Sequence, residues 1–297
     1  MNWLSLGEAY RRASDRIDRR EARLLLEHAC GCSHVALISQ PERKMTVAQA
    51  DSFDSLIERR ISGEPLAYLL GSAWFCGLEF TVTPDVLIPR PETETLVNLA
   101  VERALALEQP RIVDLGTGSG IVAIMLALRC PQAVVTAVDI SAAALEVARV
   151  NAERHGVNIR FLEGDWFAPL GDDLGDERFD LIVSNPPYVR AGDPHLQENG
   201  LPFEPQQALT DGIGGGDGLD CIRHIIRGAP HHLQSNGELL LEHGYDQAAD
   251  VRHLLSQAEL TNVASWQDEA GIERVSGGSL ESIQQRKEVF HGYSGSH

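Results

Sequence analysis

The chain has 297 residues, of which 43% are hydrophobic and 23% charged, a composition typical of a globular protein large enough for more than one domain. Its formal net charge of −18 argues against holding duplex nucleic acid, because proteins that do so neutralise phosphates with lysine and arginine. An acidic surface suits a basic protein partner better. Apolar runs such as residues 121–128 are too short to span a bilayer, and the first residues lack the pattern of a secretory signal.

The five cysteines and the histidines are too irregularly spaced to form a recognisable metal-ligand set. We therefore expect no bound metal. We also expect reduced thiols and a cytoplasmic location, because disulfides are rare in that compartment.

Residues 1–72 are predicted to form a helical module of three or four short helices. Asp18 with Glu21, and Thr46 with Gln49, have the spacing of capping boxes, and apolar residues at helical intervals follow each pair. The pattern is equally consistent with a structural cap and with a domain that grips a partner.

Residues 73–90 connect this module to the rest of the chain. β-Forming residues on either side of Gly77 predict a β-hairpin linker. Two prolines then fix an extended segment, after which Thr93 is predicted to cap a helix whose inner face includes Val97 and Ala100.

Residues 91–276 alternate between strand and helix patterns. Candidate strands lie at 111–115, 134–140, 159–162, 179–184, 238–243, 263–267 and 273–276. Such alternation predicts an α/β fold with a mostly parallel sheet and helices on both faces. Residues 190–220 are rich in glycine, proline and aspartate, which indicates a long loop of the kind that often carries function. Residues 277–297 lack an apolar face and are predicted to form a disordered tail.

A glycine-rich loop follows the first candidate strand and precedes a helix. It consists of Gly116, Thr117, Gly118, Ser119 and Gly120. Glycines at this place let backbone N–H groups at a helix start approach a ligand closely. The loop also satisfies the dinucleotide-binding pattern, so this feature alone leaves a nicotinamide enzyme open.

Acidic and aromatic residues end the next two strands. Asp139 stands where a carboxylate can bind both ribose hydroxyls of a nucleoside-bearing cofactor. Asp165 and Trp166 can bind adenine through a hydrogen bond and ring stacking, although Trp166 alone is equally consistent with a core aromatic residue.

A second candidate loop follows the strand at 179–184 and consists of Asn185, Pro186, Pro187 and Tyr188. Neither proline has an N–H, and the backbone of a residue that precedes a proline is restricted to extended conformations. The carbonyls of Asn185 and Pro186 can therefore accept a hydrogen bond from an outside donor. The Asn185 amide adds an acceptor and Tyr188 adds a flat ring. The segment therefore predicts a rigid cage for a planar group that bears N–H, although a plain strand-ending turn has the same pattern. In a sheet with the strand order 3-2-1-4-5, strands 1 and 4 are neighbours at the switch point, where the strand order reverses. The glycine loop follows strand 1 and residues 185–188 follow strand 4, so both loops are expected to face the same crevice.

The glycine loop together with residues 185–188 resembles the pairing in S-adenosylmethionine-dependent methyltransferases that modify a planar nitrogen. Segments 63–68, 87–94, 203–205, 241–244 and 273–275 further resemble the HemK/PrmC family. That family methylates the glutamine of the Gly-Gly-Gln motif in peptide chain release factors. The resemblance extends from about residue 20 to residue 276.

The resemblance implies a class I methyltransferase fold, which is a Rossmann-like seven-stranded sheet with a small N-terminal helical bundle domain and a hairpin linker. Residues 116–120 would lie along the methionine part of S-adenosyl-L-methionine, and Asp139 would bind its ribose. Trp166 would flank the adenine. The N-terminal domain would help to hold the release factor.

For the substrate, the resemblance implies that Asn185 and the Pro186 carbonyl are catalytic and bind the glutamine, with Pro187 and Tyr188 packed against it. Asn185 would also border the cofactor. Because a sulfonium is already an activated methyl donor, we expect catalysis by alignment of the amide nitrogen, without a side-chain base.

Other functions remain open at this stage. A sister family methylates a glutamine of a ribosomal protein, although residues 90–94 look more like the release-factor branch. An adenine-N6 DNA methyltransferase would need a basic surface, and a nicotinamide oxidoreductase leaves the proline loop unexplained. A non-catalytic binding protein would be expected to have lost a motif. We expect a monomer that acts on a protein, without direct binding of nucleic acid or membrane.

Overall fold

The computed structural model describes residues 4–171, 177–198 and 200–281. The chain divides into two compact units. The first comprises residues 1–73, 82–84 and 194–203, and the second comprises residues 74–81, 85–193 and 204–297. Within the described ranges, no helix combines the length and apolarity that crossing a membrane requires.

The first unit is helical and contains one or two more helices than expected. Its N-terminal helices are α1 (Leu6–Ser14), α2 (Arg19–Cys30), α3 (His34–Ser39), α4 (Val47–Ile61) and α5 (Leu66–Leu70). Their apolar faces enclose a core that includes the fully buried Leu25 and Leu26.

One of the two predicted capping boxes is complete and the other is not. The Thr46 side chain accepts from the Gln49 N–H and the Gln49 side chain bonds back to Thr46. Asp18 caps α2 through the N–H groups of Arg20 and Glu21. The box prediction is wrong for Glu21, because its carboxylate accepts from Nε and Nη2 of Arg60 instead, at 2.7 and 2.9 Å.

Residues 194–203 belong to the helical unit, whereas the sequence placed them within 91–276. A Cβ atom on Gly200 would lie 2.9 Å from the Pro65 ring, and Gly200 has a φ of +84°. The close approach between segments far apart in the chain therefore depends on a glycine, which is a tertiary reason that local sequence does not reveal.

A hairpin of β1 (Ser72–Phe75) and β2 (Leu78–Thr81) forms where a linker was predicted. Its turn residues, Cys76 and Gly77, both have positive φ angles, as a type I′ two-residue hairpin turn requires. The helices of the second unit are α6 (Thr93–Leu105), α7 (Ile121–Arg129), α8 (Ala142–His155), α9 (Gln206–Leu209), α10 (Asp220–His232) and α11 (Ala248–Gln257).

The remaining strands of the second unit form a large sheet and a small one. In chain order they are β3 (Arg111–Leu115), β4 (Val134–Asp139), β5 (Arg160–Glu163), β6 (Phe179–Ser184), β7 (Val189–Ala191), β8 (Thr210–Gly214), β9 (Leu233–Glu242), β10 (Thr261–Gln267) and β11 (Glu273–Ser279). The pair β7–β8 and the short α9 lie in the segment that was predicted as a plain loop.

The large sheet has seven strands in the order β10-β11-β9-β6-β3-β4-β5. Five neighbouring strands, from β9 to β5, run parallel, and β11 runs antiparallel to both β9 and β10. The predicted α/β class and the predicted neighbourhood of β3 and β6 are both confirmed. The carboxyl ends of β3 and β6 therefore meet at the switch point of the sheet.

The core occupies both faces of this sheet, as the alternation of side chains along a strand requires. Ile112 and Leu181 pack on one face with α6 and α7. Their chain neighbours Val113 and Ile182 pack on the other face with α10 and α11.

The prediction that the ordered fold ends at residue 276 is wrong. Strand β11 continues to Ser279, and Gly277 pairs with Leu240 of β9. A Cβ atom on Gly277 would lie 2.4 Å from the Leu239 carbonyl oxygen, so this glycine permits close strand contact and does not end the strand. Residues 282–297, the rest of the predicted tail, lie outside the described residues.

Candidate active site

A cavity of about 510 Å³ lies at the carboxyl ends of β3, β4, β5 and β6 in the second unit. Its volume falls within the usual range for small-molecule sites. Most residues predicted from the sequence line it: Gly116, Thr117, Gly118, Ser119, Asp139, Asp165, Trp166, Asn185 and Pro187. Gly120, Pro186 and Tyr188 are chain neighbours of lining residues but do not line the cavity themselves.

The glycine loop is tied to the end of β4 by its own backbone. The N–H groups of Gly116 and Thr117 both donate to the Val138 carbonyl, at 2.8 and 3.0 Å. Gly116 and Gly118 have φ angles of +70° and +55°, which favour glycine. These turns hold the loop against the neighbouring strand and along the cavity wall.

Asp114, to which the sequence gave no role, closes the loop from inside. Its Oδ2 accepts from the Thr117 hydroxyl at 2.6 Å and from the Ala123 N–H in the first turn of α7 at 3.2 Å. Burial raises the pKa of Asp114 to about 7, although both hydrogen bonds lower it. The residue thus joins the two ends of the loop.

Asn151 of α8 supports the same loop from the opposite side. It is fully buried and its Nδ2 donates to the Ser119 carbonyl at 2.9 Å. The same side chain accepts from the Thr81 N–H and donates to the Thr81 carbonyl of β2. The glycine loop is therefore fixed by side chains on two sides.

The far side of the cavity suits a nucleoside. Asp139 accepts from the Gly118 N–H at 2.8 Å and from the Ser141 N–H at 2.9 Å, one bond to each oxygen. Each carboxylate oxygen can accept again, which leaves capacity for two ribose hydroxyls. Burial raises the Asp139 pKa, and the backbone hydrogen bonds lower it.

Apolar and aromatic surfaces border this carboxylate. Ile140 is 63% exposed and lines the cavity, together with the Trp166 ring. A Cβ atom on Gly116 would lie 3.4 Å from that ring, so the loop and Trp166 approach each other as closely as a glycine allows. The donors, the acceptors and these flat apolar surfaces fit an adenosyl group with an amino-acid chain.

The Asn185 loop is joined to the glycine loop at its base. The buried Ser184 hydroxyl donates to the Leu115 carbonyl at 2.6 Å, across the neighbouring ends of β6 and β3. The two predicted loops therefore share one wall of the cavity. Sequence spacing and sheet topology were sufficient to bring them together.

The prediction that Thr93 caps a helix is wrong. Glu92 is the N-cap residue of α6, and no side chain caps this helix end. The Thr93 hydroxyl is fully buried and instead accepts from Asn185 Nδ2 at 3.1 Å. This contact joins residues 92 positions apart in the chain, so no local sequence signal could have revealed it.

Tyr188 faces away from the cavity. Its hydroxyl donates to Glu242 Oε1 at 3.2 Å, and its carbonyl accepts from Gln247 Nε2 at 3.0 Å. Burial raises the pKa of Tyr188, and also raises that of Glu242 to about 7. Glu242 was missed as a site residue, although a charged residue that ends an apolar strand run is a visible signal.

Two further segments border the cavity, residues 85–90 and 206–212. The buried carboxylate of Glu204, which lies two residues before the second segment, holds the first: it accepts from the Ile88 N–H at 3.0 Å and pairs with Arg90 at 2.5 Å. Residues 87–90 had been noted as family-like sequence, and residues 206–212 as part of the long loop predicted at 190–220. Among the described residues, no group of three or more metal-ligating side chains is present.

The fold and this cavity define the chain as an S-adenosylmethionine-dependent methyltransferase. Residues 93–199 match the Methyltransferase small domain family, and residues 3–71 match the PrmC N-terminal domain. The release factor glutamine methyltransferase of Bordetella pertussis is 49% identical to this chain, over 89% of this chain and 96% of the relative. That of Xylella fastidiosa is 48% identical, over 90% of this chain and 94% of the relative. The chain belongs to the release factor glutamine methyltransferase family.

Solved structures agree on the fold. The T. thermophilus 16S rRNA N2 G1207 methyltransferase, solved with AdoMet and guanosine, superposes with a TM-score of 0.52 at 21% identity, over 71% of this chain and 50% of that one. A Pyrococcus furiosus methyltransferase superposes with a TM-score of 0.50 at 18% identity, over 76% and 98%. At these identities the likeness concerns the fold alone.

Proposed function

We propose that this protein transfers a methyl group from S-adenosylmethionine to the side-chain amide nitrogen of the glutamine in the Gly-Gly-Gln motif of peptide chain release factors. The observation that carries the proposal is the place of Asn185. Its amide lies in the same cavity wall as the glycine loop and is held by the buried Thr93 hydroxyl. The names of relatives that match nearly the whole chain support the same substrate.

The chain's residues act by binding and alignment. When bound, S-adenosylmethionine supplies an activated methyl group on a sulfonium. Residues 116–119 would hold its methionine part, Asp139 its ribose, and Asp165 and Trp166 its adenine. The bound donor needs no activation by a side chain of this protein.

Asn185 acts on the nucleophile. An amide nitrogen shares its lone pair with the carbonyl group, so it attacks poorly unless it is oriented. With Asn185 Nδ2 engaged by Thr93, the Oδ1 atom is left to accept from the substrate N–H, together with the Pro186 carbonyl. Two acceptors would hold the nitrogen in line and stabilise positive charge as it develops. As the carbon–nitrogen bond forms, the sulfur would leave as the neutral thioether S-adenosylhomocysteine, and the nitrogen would give up one of its two protons to solvent. Alignment of this kind can lower a barrier by roughly 7–11 kcal/mol.

The wider assignments belong to the same proposal. Residues 1–72 would bind the release factor, residues 73–90 would link the two domains, and residues 91–276 would carry the chemistry. The match of residues 3–71 to the PrmC N-terminal domain supports the first of these roles. The protein would act as a monomer in the cytoplasm, without binding nucleic acid directly.

The proposal is tested by transfer of a radiolabelled methyl group to a purified release factor. Asn185→Ala removes the acceptor, so we expect at least a 100-fold loss of kcat, which is the scale of removing one oriented group in an active site. Calorimetry should show cofactor affinity within a few fold of the wild-type value.

The matched control is Asn98→Ala, which removes an exposed asparagine of α6 that bonds only to Arg129 among its described partners. This variant should keep wild-type turnover. A near-normal rate for Asn185→Ala would contradict the role of the amide. Label on a large-subunit ribosomal protein, with none on the release factor, would contradict the substrate.

A further inference from the structure

The carboxyl end of the loop at 185–188 is held by a side chain to which the sequence gave no role. Gln247, the N-cap residue of α11, is buried and donates from Nε2 to the Tyr188 carbonyl at 3.0 Å and to the Asp217 carbonyl at 3.3 Å. Its Oε1 accepts from the Gly244 N–H at 2.8 Å. One side chain therefore joins three segments, which are the loop, the turn before α10 and the chain just after β9.

The amide of Gln247 can take only one orientation in these contacts. A backbone N–H can only donate and a carbonyl oxygen can only accept. The Gly244 N–H therefore requires the amide oxygen, and the two carbonyls require the NH2 group, whose two hydrogens they occupy. Exchange of the two ends of the amide would leave all three contacts without a hydrogen bond, which is costly for groups withdrawn from water.

Glycines make room for this contact on both sides. A Cβ atom on Gly218 would lie 2.4 Å from the Tyr188 carbonyl oxygen, and one on Gly244 would lie 2.9 Å from Gln247 Oε1. Gly218 also has a φ of +78°, which favours glycine. A side chain at either position would displace the carbonyl or the amide. Close packing and hydrogen bonding therefore both hold the Tyr188 carbonyl in place.

The other end of the loop is anchored in the large sheet. Ser184 pairs with Leu115 across β6 and β3, and its hydroxyl donates to the Leu115 carbonyl at 2.6 Å. Between Ser184 and Tyr188, both prolines have a fixed φ, and Asn185 is restricted to extended conformations because it precedes a proline. A segment with so few free torsions has one conformation when both of its ends are fixed, and swings about Ser184 when only one end is.

We propose that Gln247 is a positioning residue that, through the Tyr188 carbonyl, holds the Asn185 side chain and the Pro186 carbonyl where they can align the substrate amide. The inference rests on the proposed function, because it concerns how the two acceptors of that reaction are placed. Gln247 does not line the cavity, so it acts through the loop and not on the substrate. Loss of its contact therefore slows the chemical step and leaves the surfaces that bind cofactor and release factor intact.

Gln247→Glu tests the contact with little change of shape. The carboxylate keeps the acceptor for the Gly244 N–H but has no hydrogen for the two carbonyls, which it would repel. We expect kcat for methylation of the release factor to fall by roughly 10- to 100-fold, at most the loss from removing one oriented group. The KM for the release factor and the Kd of S-adenosylmethionine should stay within a few fold of wild type, as when an interaction acts only on the transition state.

The pH profile of this variant separates positioning from a structural role. Burial beside two carbonyls raises the pKa of a carboxylic acid, and the protonated form has one O–H group that can donate to the Tyr188 carbonyl. The ratio of kcat for Gln247→Glu to kcat for wild type should therefore rise as the pH is lowered from about 8 to about 6. Gln257→Glu changes an exposed glutamine at the other end of α11, and this matched control should keep the wild-type rate at each pH.

Gly218→Ala displaces the same carbonyl without changing Gln247. Its Cβ atom requires the Tyr188 oxygen to move, so kcat should fall by a similar factor. Gly215→Ala is the matched control, because Gly215 lies three residues away with a φ of +77°, and its added Cβ atom meets no atom of the described residues within 4 Å. It carries the same backbone strain without the displaced carbonyl and should keep the wild-type rate.

The outcomes are distinguishable. If wild-type protein methylates the release factor and Gln247→Glu does so at the same rate, the inference is overturned while the proposed function stands. A loss of rate that does not recover at lower pH, or that Gly215→Ala shares with Gly218→Ala, also overturns it. If Gln247→Glu does not fold, the comparison of the two glycine variants decides. Absence of transfer by the wild-type protein overturns the proposed function itself.

Discussion

At the scale of single residues, the proposed function rests on the Asn185 amide, which donates to the buried Thr93 hydroxyl. Asn185 could be selected from the sequence because two prolines follow it at the end of an apolar strand. Thr93 could not, because its partner is remote in sequence and its position before an amphipathic helix indicated a cap. Local pattern therefore identifies Asn185, the group proposed to bind the substrate, more readily than its distant hydrogen-bond partner Thr93.

The raised pKa of Glu242 leads to a prediction about stability. Burial raises this pKa from 4.5 to about 7 in the folded protein. Between these two values the folded protein retains a proton that the unfolded chain has released. This group therefore lowers wild-type stability as the pH rises from about 4.5 to about 7, and has no further effect above that range.

Glu242→Gln removes this dependence. The free energy of unfolding of the variant, minus that of the wild type, should thus increase between about pH 5 and about pH 8, by on the order of 1–3 kcal/mol. Urea denaturation of both proteins at the two pH values measures this difference in the free energy of unfolding. A difference that stays constant with pH would show that Glu242 is ionised in the folded protein throughout.

At the scale of elements, the glycine loop connects β3 to α7 and is fixed by strands and helices around it. Its existence was predicted from three glycines after an apolar strand. Its supports, Asp114 and Asn151, were not, because a buried polar residue looks like any other until its partners are known. The extension of β11 to Ser279 was missed for a related reason. A glycine such as Gly277, which permits close strand packing, looks in isolation like a residue that ends a strand.

The last glycine of this loop should be the most sensitive to substitution. Gly120 has a φ of +82°, and a Cβ atom there would lie 3.1 Å from both Ala148 and Ile124. Gly120→Ala therefore combines backbone strain with crowding between α7 and α8. We expect a loss of about 2–4 kcal/mol in the free energy of unfolding.

Gly156→Ala is the matched comparison, because Gly156 has a φ of +67° and no atom of the described residues lies within 4 Å of its added Cβ atom. It should lose only about 1 kcal/mol from the backbone term. Thermal or urea unfolding of the two variants measures the difference. Equal losses would mean that α7 and α8 can separate without cost.

At the scale of the whole molecule, charge and topology together limit what the cavity can act on. The net charge of −18 makes a polyanionic substrate unfavourable. The observed strand order brings the glycine loop and the Asn185 loop to one edge of the sheet, as alternation of strands and helices predicted. The inclusion of residues 194–203 in the helical unit was not predictable, because it arises from packing between distant segments.

The most direct test of the central claim is to locate the transferred methyl group. The wild-type protein, S-adenosylmethionine and a purified release factor are incubated together, with duplex DNA supplied in a parallel reaction. Peptide mass spectrometry should find one methyl group, on the side-chain nitrogen of the glutamine in the Gly-Gly-Gln motif, and none on DNA. A methyl group on adenine, or on a different residue of the release factor, would contradict the account.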